Sequence, residues 1–315
     1  MLKKLVLSIS ILFSMVASAQ MQDLEQLMNN KKLIAFKPIY DVDNSLYGYI
    51  SIYQGDKVDR YNMKYEYLIL DKNLNKIARN EYIQKLYNFD VVRYTRCTKM
   101  GSNLFLKMDH DEFEGHYWDT KIRTHRSLDL KNNTISDEFY FDKGEFKNLD
   151  IENNYIKKTF KKDLSLFNLH AIGNKETPGF LVMEDYKDLE NVYKVYDLHF
   201  YDENKKLKWT YNFNANGTIK SYESIEHFYW PGELLYLTVS KRSGKKLKGI
   251  SIVGLDIKTG KTQFEYKLDD ESSKYLHTTE IKRINNQTVI IGEYYPENNS
   301  REDWEDRLGL YRIVL

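Results

Sequence analysis

Extended apolar runs recur along the chain, each closed by an Asp and a cluster of polar turn residues before a second extended run begins. The clearest copy is "GISIVGLDIKTGKTQFEYKL", residues 249–268, with Asp256 at the end of the first run. Variants stand at "YEYLILDKNLNKIARNEY" around Asp71, "HRSLDLKNNTISDEFYF" around Asp129 and "YDLHFYDENKKLKWTYNF" around Asp202. An Asp suits the first position of a tight turn because its carboxylate accepts backbone N–H groups two residues on. Each phrase is therefore predicted to be a β-hairpin, with Asp71, Asp129, Asp202 and Asp256 as structural turn residues.

A further strand precedes each hairpin: "LYGYISIY", "LFLKM", "GFLVM", "LLYLTV" and, near the C-terminal end, "TVIIG". Turn clusters such as "DVDNS", "KMGSN" and "WPGE" separate these from one more extended segment upstream. The unit is strand a, tight turn, strand b, longer loop, strand c, Asp turn, strand d. The turn Asp residues lie 58, 73 and 54 residues apart, against the ~40 to 50 of common propeller blades. A lone meander cannot bury both faces and must stack on copies of itself. The predicted fold is all-β, a β-propeller-like array of four-stranded antiparallel meanders, about four and a half blades. The half arises because "RLGLYRIVL", 307–315, matches strand c of a fifth unit and no turn Asp follows. Two β-sandwich domains are the alternative, since sandwiches also give short strands at regular spacing.

The phrase D-x-x-T-G-K-x-x-aromatic at Asp256, Thr259, Gly260, Lys261 and Phe264 resembles the blade repeat of quinoprotein-like propellers; Asp202 to Trp209 is one residue shorter. The resemblance implies a turn plus an aromatic wedge between blades, and no quinone. The whole chain is similar to uncharacterised secreted, Tyr-rich β-propeller-like repeat proteins of Gram-negative bacteria. That likeness implies a secreted, periplasmic or cell-surface protein of such a bacterium and carries no assigned activity.

The N-terminal segment reads as an export signal: Lys3 and Lys4, an apolar run from Leu5 to Val16, then Ala17-Ser18-Ala19. The run falls short of the ~20 residues that span a bilayer. The expected organisation is a signal peptide at 1–19, a linker or short helix at 20–32, and a repeat domain at 33–315. An insertion near 142–167 reads as an extra strand pair or lid. No membrane span is expected after signal cleavage.

Charge narrows the partners. Forty-seven Lys and Arg balance 46 Asp and Glu, which removes the electrostatic basis for binding nucleic acid. The 26 Tyr and 15 Phe beside four Pro suit half-buried strands. The single Cys97 allows no intramolecular disulfide and reads as a small buried apolar residue.

Searches for chemistry return little. The chain holds no H-E-x-x-H, G-x-S-x-G, C-x-x-C, Walker A or G-x-G-x-x-G motif. "DKNLNKIARNEY" starts like a calcium loop, but Lys76 and Tyr82 stand where Gly and Glu are required. "MDHDEFEGHYWD", 108–119, is the one enrichment in ligand-type side chains, and makes His110, Asp111 and His116 weak metal candidates. It reads otherwise as a solvated b–c loop. No cofactor is called for.

Three b–c loops, "DHDEFEGHYWD", "EDYKDLENVY" and "YYPENNSREDWEDR", are acidic with aromatics. Longer loops on one end of a rigid scaffold are the usual seat of function. Trp118, Tyr186, Tyr295 and Trp304 are the expected ligand-binding residues, for a protein or a glycan. The expected function is a non-catalytic extracytoplasmic binding or scaffolding module. The alternative is a carbohydrate-active hydrolase with carboxylates from different blades, such as Glu114 and Glu302; a quinone oxidoreductase ranks third.

Overall fold

A computed structural model of the chain describes residues 31–85, 91–114, 117–142, 144–149, 168–187, 193–212, 221–230, 232–243, 246–268, 274–285, 287–296 and 308–315. The expected signal peptide, most of the linker and the insertion from 150 onward lie outside those residues. Every regular element among the described residues is a strand.

The first meander is β1 (Lys32–Asp41), β2 (Leu46–Lys57), β3 (Asn62–Asp71) and β4 (Lys76–Lys85). The second is β5 (Val91–Met100), β6 (Asn103–Glu114), β7 (Tyr117–Asp129) and the short β8 (Thr134–Ile135), followed by β9 (Phe139–Asp142) and β10 (Glu145–Asn148). These two form one sheet, because β1 and β5 pair in parallel over Ile39 to Asp41 and Cys97 to Lys99. The third meander is β11 (Asn168–Gly173), β12 (Pro178–Lys187), β13 (Tyr193–Asp202) and β14 (Leu207–Asn212). The fourth is β15 (Ser221–Tyr229), β16 (Leu234–Ser243), β17 (Lys246–Asp256) and β18 (Thr262–Lys267). The fifth is β19 (Lys274–Ile284), β20 (Gln287–Pro296) and β21 (Gly309–Val314). Apart from the β1–β5 pair and β9, which joins β7 past the short β8, strands join in chain order, which is the pairing of meanders rather than of Greek-key sandwiches. The all-β fold of antiparallel meanders is thus as the hydrophobic pattern predicts.

Two compact units divide the chain. The first holds residues 31–41, 45–140 and 146–149 among those described. The second holds the short pieces 42–44 and 141–145 together with β11 to β21.

The Asp turns explain why the phrase varies in length. Asp71 Oδ1 accepts the backbone N–H of Asn73 at 2.7 Å and of Asn75 at 2.8 Å. Asp202 Oδ1 accepts those of Asn204 and Lys206, both at 3.0 Å. Asp129 Oδ1 accepts Lys131 N–H at 2.8 Å, and Asp256 Oδ1 accepts the N–H and hydroxyl of Thr259 at 2.7 and 2.8 Å. The left-handed residue that closes the turn comes three places after the Asp at Leu74 and Lys205, but four places after it at Asn133 and Gly260. The extra residue is absorbed there. Phe200 faces Trp209 and Gly254 faces Phe264 across their hairpins, in each case two residues before the Asp. The shorter spacing of Asp202 to Trp209 is therefore one turn residue fewer, with the aromatic in the same slot.

That slot is a wedge between meanders. Trp209 stacks on Phe200 with centroids 5.3 Å apart, and its ring leaves no room for a side chain at Gly260. Phe264 lies over Gly254 in the same way and tilts against Tyr236 at 5.9 Å.

The three larger core clusters among the described residues are each shared by two neighbouring meanders. Ile39, Ile50 and Tyr67 of the first meet Cys97, Leu104 and Leu106 of the second. Leu181 and Phe200 of the third meet Leu235 and Val253 of the fourth. The fourth turns its other face, with Ile250 and Ile252, to Ile281 and Ile290 of the fifth. Apolar residues at alternate positions do this because successive side chains leave a strand on opposite faces.

Candidate functional site

The stretch 108–119 departs from its reading as a solvated loop. Strand β6 runs through Glu114 and β7 starts at Tyr117, with Phe113 opposite Trp118 and Glu114 opposite Tyr117. The acidic composition reads as loop, but Asp109 is bonded to Arg123, His110 to Thr124 and Glu138, and Asp111 to Arg93. His110 and Asp111 are both fully buried. They leave the strand on opposite faces, His110 toward Glu138 and Asp111 toward Arg93, so they do not converge on one ion. Among the described residues no group of three or more His, Cys, Asp or Glu side chains is placed to hold a metal. His116 lies outside the described residues.

The expected ligand-binding aromatics fall in three meanders. Trp118 lies on β7, Tyr186 on β12 opposite Lys194, and Tyr295 on β20 opposite Tyr275. All three sit in strands, close to the b–c connections of their sheets. The Tyr295 hydroxyl donates to Glu293 Oε2 at 2.6 Å. Trp304 and Glu302 lie outside the described residues.

The second meander instead concentrates polar groups that belong to no sequence motif. On the face toward the first meander, Glu138 Oε2 accepts from His110 Nε2 at 3.0 Å and from the Thr124 hydroxyl at 2.9 Å. Nε2 must carry the hydrogen, because a carboxylate only accepts. Glu138 Oε1 accepts from Arg126 Nη2 at 3.3 Å and from the Gln84 amide. Arg126 also donates to the carbonyls of Ser136 at 2.7 Å and Ile83 at 3.2 Å, and its guanidinium lies over the Tyr82 ring at 5.1 Å. The Tyr82 and Tyr94 hydroxyls bond to each other beside it. All of these side chains are buried. Burial alone would raise the Glu138 carboxyl, but the His110 ring, the Arg126 charge and the Thr124 hydroxyl outweigh it and hold the group at about 2. Period two in "IRTHRSL", with Ile122, Thr124, Arg126 and Leu128 sharing one face, is the sequence signal that could have revealed this cluster.

The opposite face of the same meander is cationic. Arg96 on β5 stands directly across from Lys107 on β6, which stands directly across from His125 on β7. In the adjacent row Arg93, Asp109 and Arg123 face one another. Arg123 Nε donates to Asp109 Oδ1 at 2.7 Å, and Arg93 Nε to Asp111 Oδ2. His125 stacks on Phe139 with centroids 5.7 Å apart. Lys107 is pushed down to about 8, first by burial and then by Arg123 and Arg96, with Asp109 opposing. Burial likewise lowers Arg96.

Cys97 is 1% exposed within the core, and burial pushes its thiol up, which keeps it in the unreactive protonated form. Among the described residues no helix is long and apolar enough to cross a membrane.

Fold and site together define an all-β protein of packed antiparallel meanders with a polar-cored second meander. The chain belongs to a family of unknown function, DUF6770, whose profile matches residues 1–314. No curated protein matches it. Among solved structures, a variant of Synechocystis apocarotenoid oxygenase is similar at 7% identity and a TM-score of 0.42, over 85% of this chain and 57% of that one. A polysaccharide lyase is similar at 9% identity and 0.41, over 90% and 58%. A Bacillus subtilis arabinanase is similar at 10% identity and 0.32, over 90% and 97%. The chain thus spans a little over half the length of the first two. At these scores the likeness bears on neither activity nor ligand.

Proposed function

We propose that the protein is a non-catalytic extracytoplasmic binding or scaffolding module, exported to the periplasm or cell surface of a Gram-negative bacterium. Its partner is a protein or a glycan, met at the b–c hairpin ends near Trp118, Tyr186, Tyr295 and Trp304. One observation carries the non-catalytic reading: the buried carboxylates of the first unit are engaged by bases and hydroxyls. Glu138 is held at about 2 by His110, Arg126 and Thr124. Glu66 is held below the usual carboxylate range by Arg79 and Lys31 against the effect of its burial. A glycosidase needs the reverse, a carboxyl kept protonated near neutrality to serve as general acid.

The test is a screen of the purified protein against glycan arrays and chromogenic glycosides. Binding without turnover is expected. Turnover that survives rigorous purification would move the protein to the hydrolases.

A further inference from the structure

The cationic face of the second meander is built by an irregularity. A bulge on β5 inserts Thr95 between Tyr94, which faces Met108, and Arg96, which faces Lys107. Were Thr95 instead paired regularly with Lys107, Arg96 would fall opposite Leu106, whose side chain belongs to the core. The bulge turns Arg96 away from the core and sets it beside Lys107. Bulges that re-aim a side chain are enriched beside functional sites.

The resulting arrangement is costly by itself. Like charges directly opposite on neighbouring strands repel, and a half-buried ammonium has given up water. On the same face stand Arg93, Arg96 and Arg123, with Asp109 bonded to Arg123 and Asp111 to Arg93. Among the described residues no carboxylate is bonded to Lys107. His125, stacked on Phe139, closes the far end of the row. An arriving oxyanion would relieve the repulsion between Arg96 and Lys107 and give the ammonium an acceptor.

We propose that the face formed by Arg96, Lys107 and Arg123 is a binding site for an oxyanion, either a free inorganic one or a carboxylate carried on an acidic glycan. The glycan arm rests on the binding-module reading; the inorganic arm does not. Arg96, Lys107 and Arg123 lie on three adjacent strands of one face, and guanidinium and ammonium groups are the donors that oxyanion recognition uses.

Residue-resolved lysine acylation, read by mass spectrometry on the purified protein at pH 8, tests the site. It is run with sodium phosphate, with polygalacturonate, and with sodium chloride at matched ionic strength. Lys107 should be protected by phosphate or the polymer but not by chloride, while Lys64, half-buried and paired with Glu81 on the first meander, should not be. By calorimetry Lys107→Met should weaken binding about tenfold, the loss of one charge-assisted hydrogen bond, and Lys64→Met should not. Protection by phosphate alone names a free oxyanion as ligand and supports the site. Protection by neither overturns the inference, and the wild-type protein decides this even if Lys107→Met fails to fold. Polymer binding that is unchanged in Lys107→Met also overturns it while leaving the binding module standing. Glycoside turnover alongside a protected Lys107 would do the opposite, sinking the binding module and sparing the site.

Discussion

The indole Nε1 of Trp209 donates to the carbonyl oxygen of Ile257 at 2.7 Å, tying strand d of the third meander to the Asp turn of the fourth. Trp209→Phe preserves the stack on Phe200 and deletes the donor. The variant should lose about 1–3 kcal/mol, the cost of leaving a buried acceptor unmatched. Urea unfolding should show a lower midpoint with an unchanged slope.

Gly254 has no room for a methyl group, since an added Cβ would lie 2.3 Å from the Phe264 ring. Gly254→Ala should cost about 1–3 kcal/mol as overpacking. Combined with Phe264→Ala the same substitution should cost much less, so a double-mutant cycle should give a coupling above about 0.5 kcal/mol. Additive losses would show that the ring is not what excludes the side chain.

Glu138 makes stability depend on acid. Its folded value of about 2 lies below the ordinary 4.5, so its contribution is fully present above about 4.5 and is lost as pH falls toward 2. The loss should amount to about 3 kcal/mol. Glu138→Gln should be destabilised at neutral pH by about 3–5 kcal/mol, because Arg126 is left buried without its carboxylate. Between pH 5 and pH 2 the variant should then lose about 3 kcal/mol less than the wild type, which still titrates Glu138, as denaturation of the two proteins across that range would show.

Asp256→Ala removes the acceptor of the Thr259 N–H and hydroxyl, and should lower stability by about 1 kcal/mol. Asp256→Asn keeps an acceptor oxygen at the same place and should retain most of it. Thermal melts of the two variants side by side separate a hydrogen-bonding role from a charge effect.

Trp118→Ala and Trp304→Ala test the proposed ligand contacts. Each should shift stability by no more than about 0.5 kcal/mol. If either residue anchors a partner, its truncation should cost about 2 kcal/mol or more in affinity, measured against whichever glycan or protein the screen identifies.

What the sequence determined by itself was local. The carboxylates of Asp71 and Asp202 bond to N–H groups no more than four residues away, and that range is set by residue type and turn chemistry alone. The order of strands followed, since meanders pair neighbours in the chain. The wedge was half legible: the aromatic at Trp209 could be seen, but its one-residue shift was resolved only by the turn that closes on Lys205 rather than on a residue one place later.

The polar groups of the second meander were decided by tertiary structure. "DHDEF" reads as a solvated loop because nothing within a few residues shows that Glu138, 28 positions on, will bond to His110, or that Arg93, 18 positions back, will pair with Asp111. The row of Arg96, Lys107 and His125 exists only because strand register brings three distant residues level, and a bulge at Thr95 sets which face Arg96 takes. A one-residue slip in a strand exchanges its faces. Burial and charge at these positions therefore depend on the pairing of whole strands, which residue type and local spacing do not fix.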